Sequence, residues 1–166
     1  GERNYRMRSA KNLAEEFKLH IEKYGVDFIG MPDDNFAINH QRVVDLVPLL
    51  KPLNIRWGTH ARLDESAEFP LMAEAGCIYL GFGAESASPS VLRAMKKGGF
   101  IVKSGIIGIS VDNNYCLFPR AMIEGIKKCE NAGVHANCTW IMGYPTETLA
   151  DLKTSIAFIK WQEEFY

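Results

Sequence analysis

The chain carries almost no net charge. Its 19 Lys and Arg against 20 Asp and Glu give −1 over 166 residues. That balance excludes the broad basic surface used to hold nucleic acid or an anionic membrane, so neither partner is expected. No apolar run approaches the roughly 20 residues that a membrane-spanning helix needs. The opening residues Gly1-Glu2-Arg3-Asn4 lack the apolar stretch of a signal peptide, which makes a cytoplasmic protein the expectation. Cysteine is scarce and scattered. No two of Cys77, Cys116, Cys129 and Cys138 have the spacing of a zinc knuckle or a redox pair, and they read as small buried hydrophobes. Internal repeats and low-complexity linkers are missing, so a single domain over 1–166 is expected.

What is present is ordinary globular composition, 47% apolar and 23% charged, in a regular alternation of patterns. Residues 9 to 24 predict a helix with Leu13, Phe17, His20, Ile21 and Tyr24 on one face, Ser9 at its start and Gly25 at its end. Strands are predicted at Val26 to Met31, Ile55 to Thr59, Cys77 to Phe82 and Val134 to Met142. Between them lie helices at about 39–51, where Pro48 predicts a kink or early stop, at Ser66 to Ala75, after a Ser88-Pro89 cap, and at Pro119 to Ala132. A last helix starts near Thr148, with Thr148 and Asp151 as a capping box. Residues 97 to 117 break the alternation and read as an insertion with room for a small strand and a turn at Asp112-Asn113-Asn114. Strand–helix alternation implies parallel strands with crossover helices, an α/β fold of partial TIM-type barrel form. A closed barrel needs more strands, so a segment of a longer protein is expected.

Polar clusters stand where the strands run out, the rim at which parallel α/β folds build their sites. Asp33-Asp34-Asn35 follows the first strand. Two carboxylates there suit a cation, an ammonium group or a ribose; the plainer alternative is a helix cap and a solvated acid. His60 and Arg62 share a side of the second strand. The arginine fork fits a carboxylate or phosphate, and the plainer alternative is an ion pair with Asp64 or Glu65. Glu85 follows the small residues Gly81, Gly83 and Ala84, which let a bulky ligand approach the backbone; the plainer alternative is a glycine-rich turn with its carboxylate on a helix dipole. Gly143-Tyr144-Pro145-Thr146-Glu147 is a turn whose backbone groups can read the edge of a base; the plainer alternative is an ordinary βα turn.

These stretches, in this order, resemble the radical S-adenosylmethionine (radical SAM) superfamily. The likeness is closest to its cobalamin-binding and anaerobic magnesium-protoporphyrin ester cyclase group. It is carried by Tyr5-Arg6-Met7-Arg8-Ser9, Met31-Pro32-Asp33-Asp34-Asn35-Phe36, Arg62-Leu63-Asp64, Met72-Ala73-Glu74-Ala75-Gly76-Cys77, Gly83-Ala84-Glu85-Ser86, Val91-Leu92-Arg93-Ala94-Met95-Lys96, and Ile141-Met142-Gly143-Tyr144-Pro145-Thr146-Glu147-Thr148. The resemblance implies an enzyme that cleaves S-adenosylmethionine reductively at a [4Fe-4S] cluster and starts radical chemistry on a small-molecule substrate.

By position, the resemblance puts Asp33 and Asp34 at the methionine amino group. Glu85 and Ser86 fall at the ribose or amino group, Arg62 at the methionine carboxylate, and Ile141, Gly143 and Tyr144 at adenine. It assigns no catalytic residue and no metal ligand within the chain. The family's C-x3-C-x2-C cluster loop is not in this sequence, so the expected segment is inactive alone; a cobalamin domain would also lie outside it. Two other readings stand beside this one. One is a metal-dependent barrel lyase or hydrolase using Asp33, Asp34, His60, Glu85 and His135. The other is a non-catalytic binding segment that self-associates through exposed edge strands.

Overall fold

The computed structural model describes residues 6–97 and 104–165, with Glu65 and Ser66 described by backbone alone. Tyr5 and residues 98–103 of the expected insertion lie outside the described residues. Helix α1 (Ala10–Tyr24) starts where the Ser9 hydroxyl accepts from the Asn12 amide and stops where Gly25 turns left-handed at φ 63°. Ala10, Leu13 and Phe17 are its buried stripe. Tyr24, expected on that face, is exposed and lies at the surface against His20 and under the Lys23 ammonium.

Four strands make one parallel sheet: β1 (Phe28–Gly30), β2 (Arg56–Ala61), β3 (Cys77–Glu85) and β6 (His135–Trp140), in that spatial order. The connections are α2 (His40–Leu50), a 3-10 segment Leu63–Glu68 running into α3 (Phe69–Glu74), α4 (Pro89–Ala94) and α5 (Arg120–Asn131), with α6 (Leu149–Phe165) closing the described fold. The sheet has an open edge and is a partial barrel, as the strand count predicts. Among the described residues no helix is long and apolar enough to cross a membrane.

Several local expectations change. Helix α2 runs through Pro48 and ends two residues later, because a proline in the last turn forfeits only one intrahelical bond. Asn39, and neither Asp33 nor Asp34, caps that helix by accepting from the Arg42 amide at 2.8 Å. The helix predicted from Ser66 begins as 3-10 and becomes α-helical only at Phe69. The insertion holds two strands, β4 (Ile106–Val111) and β5 (Asn114–Pro119), paired as a separate antiparallel hairpin. Asp112 and Asn113 both adopt positive φ at its tip, the two-residue turn whose twist suits a hairpin.

The two faces of the main sheet differ. Toward the helices point Trp57, Leu80, Phe82, Ala84 and Ala136, all buried. Phe158 of α6 packs edge-on against Phe118 at 5.2 Å and lies near Trp140 and Trp161. The opposite face carries Gly58, His60, Tyr79, Gly81, Gly83, His135, Asn137 and Thr139. Bulky branched residues fill the lumen of a closed barrel; here glycines and polar groups stand in their place.

Helix α6 is tied to the segment after β3 by hydroxyls. Ser155 Oγ pairs with Ser86 Oγ at 3.2 Å and accepts from the Ala87 amide at 3.1 Å. Asp151 completes the expected capping box with Thr148 and also accepts from Ser88 and Ser90 at 2.5 and 2.6 Å. Ser88 therefore gives its hydroxyl to Asp151 at the start of α6 and leaves its own helix α4 without a side-chain cap.

Two outcomes follow from this packing. A Cβ at Gly125 would lie 2.4 Å from the Leu63 carbonyl oxygen, so α5 touches the segment after β2 backbone to helix. Gly125→Ala is expected to lower stability by about 1–3 kcal/mol, seen as a lower urea midpoint at unchanged slope. The hydroxyls of Ser88, Ser90 and Thr148 hold the Asp151 carboxyl well below the usual carboxylate range. A depressed folded-state pKa contributes stability that is present above the ordinary Asp value of about 3.9 and fades as pH falls below it. The stability gap between the parent and Asp151→Asn should therefore shrink in urea titrations as pH is lowered through that region.

A polar cavity at the strand C-terminal rim

The two acids after β1 part company. The Met31 amide donates to the Gly58 carbonyl at 2.8 Å and keeps the chain extended, so successive side chains diverge. Asp33 turns to Arg42, a buried guanidinium 3.4 Å away that also donates to the Phe36 carbonyl and lies over the Phe36 ring. Asp34 turns the other way and lines a rim cavity of about 430 Å³. That cavity is also lined by Arg62 and Asp64 beyond β2, by Gly83 and Ala84 of β3, and by Lys96 and Lys97.

Arg62 makes a two-pronged pair with Asp64, Nε to Oδ1 at 2.9 Å and Nη2 to Oδ2 at 3.0 Å. The ion pair weighed from the sequence is thus the one formed, and it forms within the cavity wall. Glu85 sits at φ 62°, a left-handed conformation rare for a residue with a side chain, beside a bulge in the β3–β6 register. Bulges next to sites re-aim side chains. Here the carboxylate is folded back over Gly83: a Cβ on that glycine would lie 2.8 Å from Glu85 Oε1. Lys97 Nζ donates to the same oxygen at 2.5 Å.

The fourth cluster stands at the same end. The Ile141 amide donates to the Glu85 carbonyl at 2.9 Å, extending the sheet past β6. Gly143 has φ 78°, and its amide donates to Glu147 at 2.7 Å. The Tyr144 hydroxyl reaches the Ala94 carbonyl at 3.3 Å, just before the two lysines. Ser86 is not on the cavity; it is fully buried under α6. The structure thus gathers Asp34, Arg62, Glu85 and Tyr144 at one rim and sets Asp33 and Ser86 apart from it.

A second hollow of about 280 Å³ opens on the polar face of the sheet and shares Asp34 and Gly83 with the first. Its walls include His60, Tyr79, Gly81 and Thr139. The His60 ring lies against Gly81, where a Cβ would come within 2.5 Å of it. The Tyr79 hydroxyl accepts from Asn137 at 2.6 Å, and its ring stacks near His135. Sequence reasoning missed Asp64, Lys96, Lys97, Tyr79 and Thr139 as wall residues. The adjacent lysines at the end of α4 were the available signal.

No three His, Cys, Asp or Glu side chains converge to hold a metal among the described residues. Asp33, Asp34, His60, Glu85 and His135 form no such group, although Asp34 shares a hollow with His60. The cysteines do not fit an iron–sulfur cluster. Burial pushes the Cys77 and Cys138 thiols up to about 12 and raises Cys129 as well. Cys77 and Cys129 donate to the Tyr79 and Val134 carbonyls, whereas a cluster needs thiolates.

A parallel half-barrel with a charged cavity at the carboxyl ends of its strands is the architecture of a TIM-type enzyme. The model of the Radical SAM superfamily matches residues 1–159, and the chain belongs to that superfamily. Enzymes of the superfamily use S-adenosylmethionine and a [4Fe-4S] cluster. An uncharacterized methyltransferase of Pyrococcus horikoshii is 29% identical over 162 residues, 95% of this chain and 31% of that protein. The anaerobic magnesium-protoporphyrin IX monomethyl ester cyclase of Rubrivivax gelatinosus is 26% identical over 57% of this chain and 18% of its own length. The chain therefore spans about a third or less of these relatives.

Among solved structures, the cobalamin-dependent radical enzyme OxsB, with aqua-cobalamin and S-adenosylmethionine bound, superposes with TM-score 0.71 at 18% identity, over 94% of this chain and 23% of that one. The methyltransferase TsrM of Kitasatospora setae, with cobalamin and a [4Fe-4S] cluster, gives 0.65 at 14% over 95% and 29%. At such identities the likeness establishes the fold.

Because the buried thiols stay protonated at neutral pH, Cys77, Cys129 and Cys138 should resist iodoacetamide at pH 8 in the folded protein and react once it is unfolded. Mass spectrometry of the labelled peptides reads the result. Reconstitution of residues 1–166 alone with iron and sulfide should likewise leave iron at background.

Proposed function

We propose that the rim cavity is the S-adenosylmethionine site of a radical SAM enzyme acting on a small-molecule substrate in the cytoplasm, with residues 1–166 as one catalytic-barrel unit. The observation that carries this reading is the convergence of Asp34, Lys96 and Lys97 on one cavity at the ends of adjacent parallel strands, with Glu85 held beside it by its pair with Lys97. The ligand's amino-acid end is a zwitterion, and this wall offers both signs of charge at hydrogen-bonding reach. Asp34 and Glu85 suit the ammonium group. The bent backbone at Ile141, Gly143 and Tyr144 lies at the same rim and suits the edge of adenine.

A [4Fe-4S] cluster, when bound, supplies the electron that cleaves the sulfonium to methionine and a 5′-deoxyadenosyl radical. Its ligands are not among the four cysteines of this chain. What this chain's residues contribute is position and charge. Substrate reaches the rim from the hollow beneath it, where His60, Tyr79 and Thr139 offer hydrogen bonds. Relatives described as methyltransferases and as a cyclase support transfer or ring-forming chemistry, with cobalamin held by a part of the protein beyond these residues. No strand lies outside β1 among the described residues, which gives further strands or a second copy a place to add, whereas on β6 the Ala136 amide and carbonyl are already taken by Glu130 and Gln162.

In the full-length protein carrying its cluster, Asp34→Ala and Glu85→Ala should each weaken S-adenosylmethionine binding about 10- to 100-fold, the range for losing a hydrogen bond to a charged group. Iron content should stay at the parent level. Ser86→Ala should lower stability and leave affinity alone. Calorimetry showing parent affinity in both acid variants would remove this cavity from the ligand site.

A further inference from the structure

We propose that Arg42 is a positioning residue for the site: by holding Asp33 and the Phe36 carbonyl it fixes the loop after β1 so that Asp34, and not Asp33, faces the cavity. The inference rests on the reading of the cavity as the S-adenosylmethionine site. It starts from where Arg42 stands. The residue lies in the first turn of α2, three places after the Asn39 cap. That end of a helix is its positive end, so a cation there works against the helix's own stability. The guanidinium is also buried, with 6% of the side chain exposed, and its Nε has no hydrogen-bond partner. A buried charge with an unmet donor is costly, and an apolar side chain of that size would pack the position at lower cost. What the guanidinium holds therefore explains its place better than packing does.

It holds one short loop at three points. Nη2 donates to the Phe36 carbonyl at 3.1 Å and meets Asp33 at 3.4 Å, and the guanidinium lies 4.2 Å from the centre of the Phe36 ring. Phe36 is fully buried and packs on Trp57 of β2, ring centres 5.3 Å apart. The near end of the loop is pinned where the Met31 amide donates to the Gly58 carbonyl. Residues 32 to 35 are thus tied to β2 at both ends and to α2 between them. Asp34 is left exposed, with no ion pair or side-chain hydrogen bond among the described residues. It lines both the rim cavity and the hollow beneath it.

Two adjacent carboxylates repel, and an untethered loop would present either of them to a ligand. With Asp33 drawn toward α2 by the arginine, extended backbone sends the next side chain the opposite way. Arg42 does not line the cavity itself, so its influence on a ligand runs through Asp34. Removing the guanidinium, or the charge on Asp33, therefore weakens the ligand only while an acid at position 34 is there to be aimed.

The test is a double-mutant cycle on the full-length protein, read by calorimetry with S-adenosylmethionine. Arg42→Gln and the milder Asp33→Asn should each lower affinity about 3- to 10-fold, and Arg42→Lys should lose less than Arg42→Gln. In the Asp34→Ala background the same substitutions should change affinity by less than about 2-fold. A merely structural role would lower affinity by the same factor with or without Asp34, and so would direct contact of Asp33 with the ligand. Asp33→Asn, at a partly exposed side chain, carries the cycle if Arg42→Gln does not fold. The proposal is overturned if the Asp33 or Arg42 effect persists at full size in Asp34→Ala, or if neither substitution changes affinity when Asp34 is present. If Asp34→Ala alone binds like the parent, the reading of the cavity fails first and takes the proposal with it.

Discussion

The central strand β3 sets the terms for the whole site. It is hydrogen-bonded on both sides, to β2 and to β6, so its backbone cannot shift without breaking two ladders. On the helix side it must be bulky, and Leu80, Phe82 and Ala84 bury there. On the other side it must be thin, because polar side chains lie across it. The His60 ring crosses it at Gly81 and the Glu85–Lys97 pair at Gly83. A methyl group at either glycine would collide with a functional candidate before it met a ligand. One strand thus separates an apolar core from a polar hollow within a single residue's thickness.

Strain is concentrated at the end of that strand. Glu85 and Lys96 both hold left-handed backbones, each costing on the order of 1 kcal/mol or more for a residue with a Cβ. Neither is isolated. Glu85 accepts from the Ile141 amide, and Lys96 is held by the paired bonds of the α4 cap. The two strained residues bring an acid and a base from opposite ends of one connection to the same glycine. Regular backbone at either position would point its side chain elsewhere, since one strained turn re-aims the acid and the other delivers the base.

The fold was legible because its signals are local. Parallel strands half-buried by helices leave apolar runs, and Ser9, Gly25 and the Thr148–Asp151 box mark helix ends by bonds within three or four residues. The rim was legible as a place, since polar residues ended each run. What could not be read was direction. Adjacent Asp33 and Asp34 look equivalent in sequence, yet a buried arginine from α2 claims the first. Ser86 looks like a neighbour of Glu85 but is claimed by Ser155 from α6, far along the chain. Lys97 was counted with an excursion from the fold, whereas a helix cap turns it back into the wall. In each case the deciding contact comes from another element.

The chemistry divides by face of the sheet, and the division explains what this chain supplies. The three raised thiols lie on the helix side or in α5, and those of Cys77 and Cys129 donate to carbonyls. Low dielectric suits a neutral thiol and disfavours the thiolate that metal ligation demands. The charged groups lie at the rim, where Arg62 matches Asp64 and Lys97 matches Glu85. Pairing keeps those charges tolerable beside a core.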